Sequence, residues 1–176
     1  IYIMKKIEVF WNIVHYFDYR FELKVQNFLR GGGTYSRPTS NPEIQKQRDI
    51  EEEIFEKVFK NPQYGFSSMM AGNFIFGLAV IIGGGIFFIL MGVLNFYKIS
   101  IDNFGILIIV CALPFVGLTY YFIFHKDKYL KYFKEFDKKS KDWKRKWMLI
   151  SFFTVLSIFL FLISGFLFMN YLSNMS

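Results

Sequence analysis

The chain has 176 residues, of which 53% are hydrophobic and 22% aromatic, and its formal net charge is +7. A soluble domain of this length could bury one core, but long uncharged runs would leave it too apolar to stay in solution. The composition therefore excludes an ordinary soluble protein and favours one membrane domain with a smaller polar region.

The polar region is predicted to span residues 1–65 and to begin with an amphipathic helix over residues 4–30. Its apolar side chains recur at steps of three and four: Ile7, Phe10, Trp11, Val14, Phe17, Phe21, Val25, Phe28 and Leu29. The predicted polar face holds Lys6, Glu8, Asn12, His15, Arg20, Glu22, Lys24 and Gln26. Such a helix either lies flat in the membrane interface or packs on a partner subunit. The mixed charges slightly favour a protein partner.

Residues 31–40 are predicted to be a linker, and residues 41–61 a second amphipathic helix. The linker begins with three glycines, which also occur in phosphate-binding loops, but no lysine-serine pair follows them. In the second helix Asn41 is a good N-cap and Pro42 suits the first helical position. Three consecutive acids at 51–53 point in different directions on a helix, so they predict a solvated face or an acidic docking surface rather than a cation site.

Residues 66–176 are predicted to form a domain of three transmembrane helices, so the expected fold class is all-α. The three spans, 69–97, 104–124 and 148–171, contain no Asp, Glu, Lys or Arg. A helix needs about 20 apolar residues to cross about 30 Å of hydrocarbon, and each span is long enough. The short connector after the first span predicts a hairpin, and a basic loop, 125–147, joins the second span to the third.

The first span is rich in glycine. Small residues let helices approach closely in lipid, so this face is predicted to pack against a neighbouring helix. The predicted helix-packing residues are Gly72, Gly77, Gly83, Gly84, Gly85 and Gly92. A ligand or conduction path beside the bare backbone is the alternative interpretation.

The loop 125–147 is predicted to continue the second span as a helix, and Ser140 is predicted to begin the third helix at the membrane surface. Its cationic cluster is expected to contact anionic phospholipid and consists of Lys138, Lys139, Lys141, Lys144, Arg145 and Lys146. Retention of positive charge on one side of the membrane also explains this cluster. Trp143 and Trp147 are predicted interface anchors. No nucleic-acid partner is expected, because no nucleic-acid-binding fold surrounds these lysines.

The distribution of charge predicts the orientation. Residues 1–65 carry ten Lys or Arg and nine Asp or Glu, while residues 125–146 carry ten against four. Regions rich in Lys and Arg stay on the cytoplasmic or matrix side. Since two spans separate the two regions, both fall on the same side. The N-terminus is therefore predicted inside and the C-terminus outside a bacterial inner membrane or an organellar inner membrane.

The sequence contains few residues that would indicate a catalytic, metal or cofactor site. None of the spans contains an ionisable residue of the kind that marks proton relays, ion-coupled transporters and voltage sensors. His15 is expected to lie far from the spans and His125 at the end of the second, so a haem held by two histidines of this chain is not expected. Cys111 is interpreted as a packing residue. No enzymatic activity, metal or cofactor is predicted.

Three functional classes remain open at this stage. The favoured one is a non-catalytic structural or accessory subunit of a larger membrane complex, with other membrane subunits as partners. The second is a homo-oligomeric channel or pore lined by the glycine-rich first span. The third is a small regulatory or immunity-type membrane protein that binds one effector.

Overall fold

The computed structural model describes residues 2–29 and 41–175, and within these ranges the chain is all-α, as predicted. The helices are α1 (Tyr2–Leu29), α2 (Pro42–Phe55), α3 (Phe66–Phe96), α4 (Phe104–Thr119), α5 (Lys128–Asp137) and α6 (Lys141–Ser173). Short π-helical turns, Glu56–Lys60 and Tyr120–Phe124, continue α2 and α4. The predicted linker over residues 31–40 lies outside the described residues.

Three segments are long and apolar enough to cross a membrane, namely α3, α6 and the segment that begins with α4. The 31 residues of α3 span about 46 Å at 1.5 Å per residue, which exceeds the hydrocarbon thickness of about 30 Å. α6 begins at Lys141, as predicted from Ser140, whose hydroxyl caps the helix by accepting a hydrogen bond from the Trp143 amide at 3.2 Å. The basic turns before the apolar run are therefore helical too.

α3 and α6 run parallel and in close contact. A Cβ atom added at Gly85 would lie 2.5 Å from the Phe161 ring, and one added at Gly92 would lie 2.8 Å from the Met169 Cα atom. Since both pairs advance along the two helices in the same direction, the helices are parallel. Glycine allows this approach because any larger residue would push the two helices apart.

α3 and α4 run antiparallel, as their short connector predicts. A Cβ atom at Gly83 would lie 2.5 Å from the Ala112 Cα atom, and one at Gly72 would lie 3.4 Å from the Phe124 ring. We call the end of the bundle where α3 and α6 begin and α4 ends the basal end. The main cluster of buried hydrophobic residues lies there, and it draws on α1, α3, α5, α6 and the turn after α4.

The prediction that the second span continues as a helix into the basic loop is wrong in one respect. Lys126 and Asp127 have φ values of 59° and 51°, in the left-handed region. Two such residues in succession cannot continue a right-handed helix. The chain turns sharply, and the Lys128 ammonium group donates a hydrogen bond to the Tyr121 carbonyl at 3.1 Å. α5 is thus a separate helix, which packs against α1.

The middle of α1 is enclosed by the rest of the chain. Its residues 12–16 are all buried. Consecutive residues of a helix point in different directions, so five buried residues in a row require neighbours on every side. These neighbours are α3, α5, α6 and the turn after α4. Neither a position flat on the membrane surface nor a purely intermolecular contact describes this part of the helix.

The predicted division of α1 into an apolar and a polar face is only partly right, because Lys24 is exposed and Val14 buried as expected but other residues of both faces are placed the other way. Asn12 and His15 are fully buried, whereas Phe21 and Phe28 of the predicted apolar stripe are 62% and 81% exposed. The expectation that His15 lies far from the spans is also wrong, because its ring centroid lies 5.5 Å from that of Phe124. Asn12 is held there by a hydrogen bond to the turn after α4, whereas His15 is buried because aromatic rings surround it.

Candidate functional site at the basal end

The side of α1 that packs against α5 carries polar and aromatic residues, and we call it the buried face of α1. It consists of Glu8, Asn12, His15, Tyr16 and Tyr19. The steps between them place them on one side of the helix.

Two residues of this face hold the first half of α1 in place. The Glu8 carboxylate accepts hydrogen bonds from the Lys128 ammonium at 2.8 Å and from the Tyr132 hydroxyl at 3.0 Å. The Asn12 amide donates to the Phe122 carbonyl at 2.9 Å. Since Glu8 and Lys128 are only 19% and 24% exposed, their attraction is screened less than that of a surface pair.

The two tyrosines join α1 to two further elements. The Tyr16 hydroxyl donates to the Asp137 carboxylate at 2.6 Å, and the Tyr19 hydroxyl donates to the Lys60 carbonyl at 2.6 Å. Burial raises the pKa of Tyr16 well above its usual value and that of Tyr19 to about 12. Both phenols therefore stay protonated near neutral pH and remain donors to α5 and to the turn after α2.

His15 lies in a cage of aromatic rings. Its ring centroid is 5.5 Å from Phe124, 5.7 Å from Tyr129 and 5.2 Å from Phe133. Among the described residues, neither ring nitrogen has a hydrogen-bond partner. Burial lowers its pKa from 6.5 to about 3, so the imidazole is neutral at physiological pH. The geometry suits packing better than proton transfer.

The pKa of Asp18, three residues after His15, is shifted upward rather than downward. Burial, helped by the charge of Glu22, raises the pKa of Asp18 from 3.8 to about 7. Its Oδ2 atom is buried and has no hydrogen-bond partner among the described residues. α1 therefore carries a buried acid and a buried base that are both mostly uncharged below neutral pH.

The six predicted helix-packing glycines differ in their surroundings. The three that face Ala112, Phe161 and Met169 have no room for a Cβ atom, as described above. At Gly84 the nearest atom is a methyl carbon of Leu162 at 3.1 Å, and Gly77 has nothing within 4 Å. The close approaches of α3 are therefore made to α4 and α6 of the same chain.

The predicted interface anchors also support α1. The ring centroids of Trp143 and Phe17 are 6.4 Å apart, and those of Trp147 and Phe10 are 6.3 Å apart. Both tryptophans are half-buried in consequence. The third tryptophan, Trp11, donates from its indole nitrogen to the Thr119 hydroxyl at 2.9 Å.

The six cations predicted to contact lipid are not gathered at one place. Lys144 and Arg145 line a cleft between α1 and α6, and the other four do not: Lys138, Lys139, Lys141 and Lys146. Lys144 donates to the Asp137 carbonyl at 2.7 Å, and Lys139 pairs with Glu135 at 3.4 Å.

α2 and the turn Glu56–Lys60 that continues it carry an exposed apolar ridge. Ile50, Ile54 and Val58 follow one another at steps of four and are 49%, 54% and 48% exposed. We call these three residues the α2 ridge. The helix begins as predicted, since the Asn41 side chain accepts from the Glu43 amide at 2.9 Å. Its 14 residues include five acids and two bases, hence a formal charge of −3.

No protein-family model, curated protein or solved structure matches the chain. Its function must therefore be argued from its own geometry. Within residues 2–29 and 41–175, no three His, Cys, Asp or Glu side chains are grouped so that they could hold a metal ion.

Sequence reasoning missed the buried face of α1, although a signal was present. Tyr129, Phe133 and Phe136 recur at helical spacing and predict that one side of α5 is buried. An aromatic side of this kind needs a partner. The residues of the buried face of α1 recur at the same helical spacing as the aromatic residues of α5. Because most of them are polar, the sequence pattern assigned that face to solvent.

Proposed function

We propose that the chain is an integral membrane protein and a non-catalytic accessory subunit of a larger membrane complex. Three membrane-length helices and a polar basal end support the membrane placement. Asn12, Tyr16 and Tyr19 of α1 donate hydrogen bonds to other elements of the chain, which supports a structural role rather than a chemical one.

The observation that carries the proposal is the α2 ridge. Apolar side chains exposed along one side of a water-soluble helix need a covering surface, and α2 contacts little of its own chain beyond the turn that follows it. The charge of −3 on α2 is opposite in sign to that of the whole chain. The occupant we propose is an amphipathic segment of another membrane subunit, with an apolar stripe flanked by Lys or Arg.

The two other functional classes have less support. A pore lined by the glycines of α3 needs those glycines at a water-filled path, but their close contacts are with α4 and α6. A regulatory or immunity-type protein would also use an exposed ridge, so the number of partner chains separates it from a subunit. A one-to-one pair favours the regulator, and a fixed assembly of several different chains favours the subunit.

The orientation proposed from charge places the N-terminus, α2 and α5 on the cytoplasmic or matrix side and the C-terminus outside. The membrane proposed is a bacterial or organellar inner membrane. Labelling of single cysteines introduced at Lys139 or at Asn174 of a Cys111→Ala chain in sealed vesicles tests this arrangement, because the two positions should be accessible from opposite sides.

The docking role is tested by purifying the tagged full chain from its native membrane in mild detergent. The unaltered chain should elute in a fixed ratio with other membrane subunits. Ile54→Asp places a charge on the ridge, and Gln45→Asp places the same charge on the opposite side of α2 as a matched control.

We expect the Ile54→Asp chain to separate from the assembly and the Gln45→Asp chain to remain in it. Retention of the Ile54→Asp chain would contradict docking through the ridge. A ring made of this chain alone would instead support the pore.

A further inference from the structure

A basic cleft lies between α1 and α6 at the basal end. It has a volume of about 380 Å³, and four of the side chains that line it are cationic: Arg20, Lys24, Lys144 and Arg145. Two come from each helix, so the cleft has two charged walls. This gathering of charge was not visible in the sequence, where more than 100 residues separate the two pairs.

The cations of the cleft are only partly neutralised within the chain. Arg20 lies 3.9 Å from the Asp137 carboxylate, and Lys144 donates to the Asp137 main chain. Within the described part of the chain, neither Lys24 nor Arg145 has an ion-pair partner within 4.0 Å. The cleft is therefore short of negative charge and suited to an anionic ligand.

The apolar lining of the cleft indicates which anion. Phe21 and Met148 are 62% and 45% exposed beside the cations. Met148 is also where α6 changes from a basic segment to an apolar one, next to Trp147, and tryptophan prefers the membrane–water interface. A ligand with an anionic head and apolar tails matches this juxtaposition, whereas an acidic peptide uses only the charged half.

We propose that this cleft is a binding site for the phosphate group of one anionic phospholipid, clamped between Arg20 and Lys24 of α1 and Lys144 and Arg145 of α6. The acyl chains would run along Phe21 and Met148 toward the apolar part of α6. The proposal assigns lipid binding to one cleft instead of to the basic loop as a whole. Lys138 and Lys139 do not line this cleft and are not expected to contribute. The proposal rests on the membrane placement proposed above, but not on docking through α2.

The test uses the full chain reconstituted in vesicles of phosphatidylcholine containing phosphatidylglycerol, extracted gently, and weighed by native mass spectrometry. The double variant Arg20→Gln/Lys24→Gln removes one wall, and Lys24→Gln/Arg145→Gln removes one cation from each wall. The control Lys138→Gln/Lys139→Gln removes the same charge outside the cleft. Near-surface charges are worth about 1 kcal/mol each, so losing two should weaken retention by about 30-fold.

We expect the unaltered chain and the control to retain one phosphatidylglycerol and both cleft variants to lose it. Equal loss from the control and the cleft variants would overturn the site in favour of diffuse attraction. The site would also be overturned if the unaltered chain retained no phosphatidylglycerol, in which case an acidic peptide becomes the better candidate ligand. Adding free glycerol phosphate should not displace the lipid; if it does, the site recognises a soluble phosphate.

Two results distinguish lipid binding in the cleft from docking through the α2 ridge and from membrane insertion. The Ile54→Asp chain should retain the lipid even where it leaves the assembly. A chain that does not enter the vesicles at all contradicts the membrane placement, whereas an inserted chain without bound lipid contradicts the cleft alone. Tryptophan fluorescence verifies that each variant is folded, because Trp11, Trp143 and Trp147 all lie against α1 or within it.

Discussion

Replacing the caged histidine should change how the stability of the protein depends on pH. Leucine is close to histidine in volume and carries no charge, so His15→Leu removes the titration with little change in packing. The folded-state pKa of about 3 lies below the value of 6.5 expected in the unfolded chain. A base shifted in this direction stabilises the fold fully above pH 6.5, and the contribution is lost as pH falls toward 3.

The magnitude follows from the two pKa values. Each pH unit in this window is worth about 1.4 kcal/mol, so the contribution of His15 falls by about 2 kcal/mol between pH 7 and pH 5. Asp18 acts in the opposite sense, because its pKa is raised from 3.8 to about 7. Its contribution is present below pH 3.8 and is lost as pH rises through 7, which amounts to about 2 kcal/mol between pH 5 and pH 7.

The two effects nearly cancel in the unaltered protein, whose stability should be almost flat between pH 5 and pH 7. The His15→Leu variant should gain about 2 kcal/mol on going from pH 7 to pH 5, and an Asp18→Asn variant should lose about 2 kcal/mol. Denaturant titrations in detergent micelles, followed by tryptophan fluorescence, measure these free energies of unfolding. Parallel pH profiles for the unaltered protein and His15→Leu would refute the buried neutral histidine.

Two further outcomes test the contacts of α3 and α1. Gly83→Ala should destabilise the protein by about 1–3 kcal/mol because the new methyl meets the backbone of Ala112, whereas Gly77→Ala should be neutral or stabilising by up to about 1 kcal/mol; equal melting temperatures for both variants would contradict the packing. Glu8→Gln should lower the free energy of unfolding by about 1–2 kcal/mol, because it leaves the half-buried Lys128 without its counter-charge; an unchanged unfolding curve would count against the pair.

Local signals predicted the helices well. The three apolar runs are helical, and Asn41 and Ser140 cap their helices through their own side chains. Each of these features depends on residues within a few positions of one another. The glycines of α3 also indicated close packing, but their identity alone could not tell whether the neighbour belongs to the same chain.

The basal end could not be predicted, for two physical reasons. Lys126 and Asp127 adopt left-handed conformations without the glycine that usually marks such a turn, so the sharp turn into α5 was not predicted. The burial of His15 depends on that turn, because α5 supplies two rings of its cage. Helical periodicity predicts that a polar face points to water. It cannot reveal that a helix more than 100 residues later in the sequence covers that face.

The packing of α5 on α1 means that α1 cannot reach its final packing until α5 has been synthesised. Tyr16 and its partner Asp137 are 121 positions apart, an interval that takes about 6–24 s to synthesise at 5–20 residues per second. During that interval α1 has been synthesised while the helix that covers it does not yet exist. The buried aromatic residues of α1 therefore stay uncovered until α5 has been made.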